Sequence, residues 1–141
     1  MKRVLVAGAG PVGLTAAYAL SRAGIDVTVF ERGAVLAEDL RASTWHPPTL
    51  DMMERLGLID EIVRDGLKAR YTQHRDRKTG AIAEFDLELL RGETSHPYRV
   101  QYEQFKYTRL VRRRLDAEVR FSAGVATVSQ SGAFVEITLE D

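Results

Sequence analysis

The chain has 141 residues, 45% hydrophobic and 28% charged, which suits one globular domain with a core of ordinary size and excludes a disordered chain. Its 20 basic and 20 acidic residues leave no net charge to draw it to nucleic acid or an anionic membrane, and no apolar run is long enough to span a bilayer. Without cysteine it has no disulfide, thiolate nucleophile or cysteine-type zinc site, which is compatible with the cytoplasm.

Lys2 to Ala7 reads as a short, buried parallel strand rich in Val and Leu. Gly8-Ala9-Gly10-Pro11-Val12-Gly13 follows it, and each glycine has a physical task. Gly8 allows the tight turn out of the strand, Gly10 lets a pyrophosphate approach the backbone, and Gly13 lets the next helix pack closely on the sheet. That helix, about Pro11 to Ala23, has Pro in its first turn and Gly24 just past its end. Its first N–H groups and positive dipole end suit phosphates. A second strand, Asp26 to Phe30, delivers Glu31, 18 residues after Gly13, whose carboxylate can accept hydrogen bonds from ribose hydroxyls. A bare G-x-G-x-x-G is weak, but strand, glycine turn, helix, strand and terminal acid together make a dinucleotide-binding fingerprint. A signal peptide does not explain the continuation into Val27-Thr28-Val29-Phe30-Glu31.

Residues 33 to 47 read as a long connection. Helix resumes near Pro48, where Thr49 to Gly57 carries Leu50, Met53 and Leu56 at helical spacing and Gly57 suits a C-cap, and a second helix runs from about Ile59 to Asp65 before Gly66. Arg70 to Arg77 and Ala81 to Leu87 form an expected hairpin through Lys78-Thr79-Gly80. A strand at Tyr98 to Gln101 leads into a helix from about Glu103 to Leu115. That helix crosses over to Val119-Arg120-Phe121, a third parallel strand beside the first two, as in half of a doubly wound sheet. Val125 to Ser129 and Phe134 to Leu139 alternate around Ser131-Gly132 as a last hairpin. The fold class expected is thus α/β, a Rossmann-like βαβ arrangement of three parallel strands plus β-hairpins.

The helix 103–115 holds Lys106, Arg109, Arg112, Arg113 and Arg114, but Phe105, Leu110, Val111 and Leu115 form a core-facing stripe. A solvated basic face accounts for the cations better than nucleic acid does. His46, His74 and His96 show no metal-ligand spacing, so no metal is expected. His46 reads as a helix-capping or packing residue.

Past Glu31 the sequence is more specific. Glu31-Arg32, then Arg41-Ala42-Ser43-Thr44-Trp45-His46-Pro47-Pro48-Thr49-Leu50, then Leu56-Gly57-Leu58 and Gln101-Tyr102-Glu103, resembles the single-component flavin-dependent aromatic hydroxylases, the para-hydroxybenzoate and phenol hydroxylase group. The resemblance spans essentially the whole chain, most specifically in the first 60 residues. It implies FAD in the glycine-turn site, with Gly8, Gly10, Pro11, Val12, Gly13, Glu31, Arg32, Arg41 and Gln101 as cofactor-binding residues. By matching position, Glu31 binds the adenosine ribose, Arg41 reaches the pyrophosphate or ribityl region, and Gln101 contacts the flavin chain; Arg32 is the weakest of the set. A guanidinium suits Arg41's role, offering forked donors to phosphate oxygens.

The chemistry implied is NAD(P)H-dependent hydroxylation of a small phenolic substrate with O2, through a hydroperoxyflavin. No residue here takes a catalytic role of its own, because the cofactor carries the reaction. The family's later Asp-Gly and Gly-Asp motifs are not in residues 1–141, so the chain reads as the N-terminal part of a larger flavoprotein. Segments 67–100 are expected on the substrate side. Such a part is expected to be inactive by itself, to bind FAD weakly at most and, through an open sheet edge and uncovered apolar surface, to be prone to homo-oligomerise or aggregate. Two other readings stay open: an NAD-dependent oxidoreductase domain and a non-catalytic nucleotide-binding module.

Overall fold

A computed structural model describes residues 3–140. In chain order these form β1 (Arg3–Ala7), α1 (Pro11–Arg22), β2 (Asp26–Phe30), β3 (Thr44–Trp45), α2 (Pro47–Arg55), α3 (Ile59–Asp65), β4 (Leu67–Ala69), β5 (Tyr71–Asp76), β6 (Gly80–Asp86), β7 (Arg99–Gln101), α4 (Gln104–Arg114), β8 (Glu118–Arg120), β9 (Val125–Ser131) and β10 (Phe134–Leu139). The chain divides into two compact units, Met1–Asp39 with Gln104–Asp141, and Leu40–Glu103. No helix among the described residues is long and apolar enough to cross a membrane.

In the first unit, α1 has Pro11 in its first turn and ends at Arg22. Gly24 adopts φ +76°, its N–H donating to the Ser21 carbonyl and that of Ile25 to the Leu20 carbonyl. This left-handed exit turns the chain into β2. The sheet is parallel with order β1-β2-β8, and the register places Val4 beside Val27 and Val29 beside Val119. Four consecutive residues of β2, Val27 to Phe30, are buried, so both faces of this middle strand are covered. β1 behaves differently from the buried strand its sequence suggested. It alternates exposed and half-buried positions because it is an edge strand with one neighbour; Lys2, expected as its first residue, lies outside the described residues. The third parallel strand expected at residues 119–121 lies one position earlier, at Glu118–Arg120.

α1 and α4 pack together, burying Leu14, Ala17 and Tyr18 from one and Tyr107, Leu110 and Val111 from the other. A polar contact pins them. The Thr15 hydroxyl donates to the Pro11 carbonyl at 2.5 Å and lies 2.6 Å from the Tyr107 hydroxyl, which is therefore the donor of that pair. Burial pushes the Tyr107 phenol up from its ordinary value, so the donor proton stays in place. On the opposite side of α4, Arg109, Arg113 and Arg114 are exposed, and Arg109 pairs with Glu38. β9 and β10 form the last hairpin, Ser131 facing Phe134 across a two-residue loop where Gly132 takes φ +55°.

The second unit holds an antiparallel sheet of order β3-β7-β4, the helices α2 and α3, and the separate hairpin β5-β6. Its buried residues include Leu50, Met53, Leu58, Ile59, Ile62, Val100 and Tyr102. Gly57, at φ +70°, ends α2 as its position suggested. A Cβ at Gly66 would lie 2.4 Å from a Val100 methyl and 2.6 Å from the Ile62 carbonyl, so only glycine lets α3 run directly into β4 beside β7. β3 and β4 were not evident in the sequence. Residues 33–47 read there as connection, yet Thr44 and Trp45 pair with Gln101 and Val100.

Replacing Tyr107 by Phe removes one buried hydroxyl pair and little volume. The variant is expected to lose about 1 kcal/mol, the usual net worth of such a bond, with an unchanged denaturant slope in equilibrium urea unfolding.

Candidate functional site

The glycine turn is built by the packing of α1 on β1. Gly8 takes φ +97° and donates its N–H to the Phe30 carbonyl at 2.7 Å, tying the turn to the end of β2. A Cβ on Gly13 would lie 2.0 Å from the Gly8 carbonyl oxygen and 3.3 Å from a Val6 methyl. The bare α-carbon therefore sets how closely the first turn of α1 sits on the strand. Gly10 occupies the N-cap, no side chain caps the helix, and a Cβ there would meet nothing within 4 Å. Pro11 is half-buried behind it and Val12 is exposed. Chemically this is an uncapped helix N-terminus with open space over its N-cap, an arrangement able to receive phosphate oxygens on backbone N–H groups.

Glu31 is held from all sides. Its N–H donates to the Arg120 carbonyl at 2.8 Å and its carbonyl accepts from Ala123 N–H at 2.8 Å. One carboxylate oxygen accepts from Ala9 N–H at 2.6 Å, the other from Gly33 N–H at 2.8 Å. A carboxylate has about four acceptor sites, so both oxygens retain capacity for hydroxyl donors. The structure thus brings Glu31 onto the glycine turn directly, through Ala9, a residue the motif treats as a filler position.

The remaining sequence-derived candidates are placed as follows. Arg32 is exposed and its guanidinium donates to Glu140 at 2.5 Å. The Glu140 carboxylate in turn covers Gly124, where a Cβ would come within 2.2 Å of it. Arg41 and Gln101 belong to the second unit. Arg41 is exposed in the segment before β3. Gln101 ends β7, and its side-chain oxygen accepts from the Ser43 and Thr44 hydroxyls at 3.1 and 3.0 Å. With the carbonyl end so engaged, the amide NH2 is the end that can donate. Trp45 donates its indole N–H to the Tyr102 carbonyl at 2.7 Å, which anchors β3. His46 sits at the N-cap of α2, but its ring makes no capping hydrogen bond, so the helix-capping role expected of its side chain is not seen. Pro47 supplies the φ restriction that starts the helix there instead.

Sequence reasoning missed Ala9 and Gly33 as the donors that orient Glu31, since backbone N–H groups carry no residue signature. It also missed the Ser43–Thr44–Gln101 contact, whose partners are 57 and 58 residues apart.

The profile of a family described as the FAD binding domain matches residues 1–141. The 6-hydroxy-3-succinoylpyridine 3-monooxygenase of Pseudomonas putida is 33% identical over 98% of this chain and 36% of its own length. The para-nitrophenol 4-monooxygenase of a Pseudomonas species is 31% identical over 95% of this chain and 34% of its own. Among solved structures, the p-nitrophenol 4-monooxygenase of Pseudomonas putida superposes with a TM-score of 0.92 at 27% identity, covering 99% of this chain and 37% of that one. A ternary complex of aklavinone-11 hydroxylase with FAD and aklavinone superposes at 0.79 with 25% identity, over 97% of this chain and 29% of that one. The chain therefore spans about a third of the length of the relatives it matches.

Two glycine substitutions separate packing from ligand access. Gly13→Ala is expected to cost about 1–3 kcal/mol or more, because a backbone carbonyl must move, and to lower the thermal midpoint accordingly. Gly10→Ala, at ordinary extended φ with nothing in reach, is expected to leave the midpoint within a degree or two, roughly the effect of a neutral surface change. Paired thermal melts followed by circular dichroism check both.

Proposed function

Because the chain belongs to the FAD-binding domain family, we propose that it is the ADP-gripping part of the FAD site of an aromatic-ring monooxygenase. The observation that carries this reading is the open N-cap at Gly10 beside a carboxylate already oriented by Ala9 and Gly33. In it, the α1 N-terminus with Gly8, Gly10, Pro11, Val12 and Gly13 holds the pyrophosphate, and Glu31 accepts the adenosine ribose hydroxyls. Arg32, Arg41 and Gln101 complete the set on the strength of their positions in the family resemblance.

When bound, the flavin supplies the redox chemistry, with NAD(P)H as reductant and O2 as oxygen donor to a small aromatic substrate. The protein's residues bind and orient it. Segments 67–100 form part of the substrate side, a role supported by the exposed Tyr71, Ile82 and Phe85 on the β5-β6 hairpin. Since the matched relatives are about three times as long, hydroxylation is assigned to a longer protein and not to residues 1–141 by themselves.

Flavin fluorescence on titrating the 141-residue chain with FAD tests this. Binding is expected to be competed by ADP. Glu31→Gln is expected to weaken it by roughly tenfold or more, as for loss of a charged hydrogen bond of about 1.5–3 kcal/mol, and Gly10→Ala to weaken it without a change in the melt. NADH binding in place of FAD would move the assignment to a nicotinamide-dependent domain. NAD(P)H-dependent hydroxylation by the isolated chain would overturn the assignment of catalysis to a longer protein.

A further inference from the structure

A second cluster of chemistry lies in the Leu40–Glu103 unit, in residues that the cofactor reading does not use. Asp51 and Glu54 stand one helical turn apart on α2, and His96 comes from the loop before β7. One ligand atom from each lies within 4.8 Å of the others. His96 is only 7% exposed, and its Nε2 has no hydrogen-bond partner, although a Glu54 oxygen lies 3.3 Å away without hydrogen-bond geometry. A buried imidazole nitrogen 3.3 Å from one carboxylate, with a second carboxylate in the same cluster and no hydrogen bond of its own, has the setting of a cation ligand.

The surrounding contacts have the form of an outer shell that orients metal ligands. His96 Nδ1 lies 2.9 Å from the Tyr98 hydroxyl, and in the tautomer with Nδ1–H donating to that oxygen the Nε2 lone pair is available to a cation. The Thr94 hydroxyl donates to Asp51 at 2.6 Å and itself accepts from His96 N–H at 3.0 Å. One short loop thus fixes both the imidazole and the Asp51 carboxylate. Glu54 is half-exposed, which gives a cation a path in and leaves water the remaining coordination positions. One nitrogen and two carboxylate oxygens form a borderline donor set, suited to first-row transition cations more than to Ca2+ or Mg2+.

We propose that Asp51, Glu54 and His96 form a binding site for a divalent first-row cation of the Zn2+ type, made of residues that the flavin reading does not use. The ion joins α2 to the loop before β7, so binding stabilises the second unit.

Calorimetric titration of the 141-residue chain with Zn2+ alone, and visible absorption with Co2+ as a probe, test the site. One saturable ion per chain and a raised thermal midpoint are expected. Asp51→Asn and Glu54→Gln are each expected to weaken binding by roughly tenfold or more, and Tyr98→Phe to weaken it less, because it only orients the imidazole. His96→Gln is expected to abolish the Co2+ spectrum. Should that buried substitution prevent folding, the Asp51 and Glu54 variants decide the matter. Absence of saturable binding, or unchanged affinity in both carboxylate variants with the fold intact, would overturn the proposal.

Discussion

The first unit depends on one close approach. At Gly13 the α1 backbone comes so near the Gly8 carbonyl that even a methyl group does not fit. That contact fixes where the helix axis meets the strand and so where the uncapped N-terminus points. It also fixes Ala9, whose N–H then reaches the Glu31 carboxylate. The turn, the helix start and the acid are therefore one rigid arrangement. The Thr15–Tyr107 pair extends it to α4, and the Glu31 main chain extends it to the end of β8 and the turn that follows.

Local order in this chain was legible wherever a residue's own stereochemistry decides. Pro11 and Gly24 marked the ends of α1, Gly57 the end of α2, and Lys78-Thr79-Gly80 the turn of a hairpin, because each acts within a few residues of itself. What stayed hidden depends on partners distant in sequence. β3 and β4 are two and three residues long and exist through pairing with β7, so no periodicity could announce them. The exposure of β1 follows from its place at the sheet edge, which Val and Leu content does not encode. The Asp51–Glu54–His96 cluster escaped for a similar reason: its ligands come from a helix and a loop, with no motif spacing between them.

Legibility of the cofactor site divides in the same way. The glycines and Glu31 enter the proposed site by physical reasoning, because a phosphate cradle requires particular backbone geometry and a ribose requires an acceptor. Arg41 and Gln101 enter it only through family resemblance, and they belong to a different compact unit from the turn. The chain leaves the parallel sheet after β2, builds the second unit from residues 40–103, and returns through α4 to finish the sheet at β8.

The hold on Glu31 has a consequence for altering cofactor preference. The same carboxylate that is suited to ribose hydroxyls also fastens Ala9 and Gly33. A change of nucleotide specificity made by replacing that acid alone would release the N–H of Ala9 in the turn and that of Gly33 just after β2, along with the proposed sugar contact. In the proposed reading this acid serves recognition and architecture at once, so retuning the cofactor calls for new acceptors for both N–H groups in the same step.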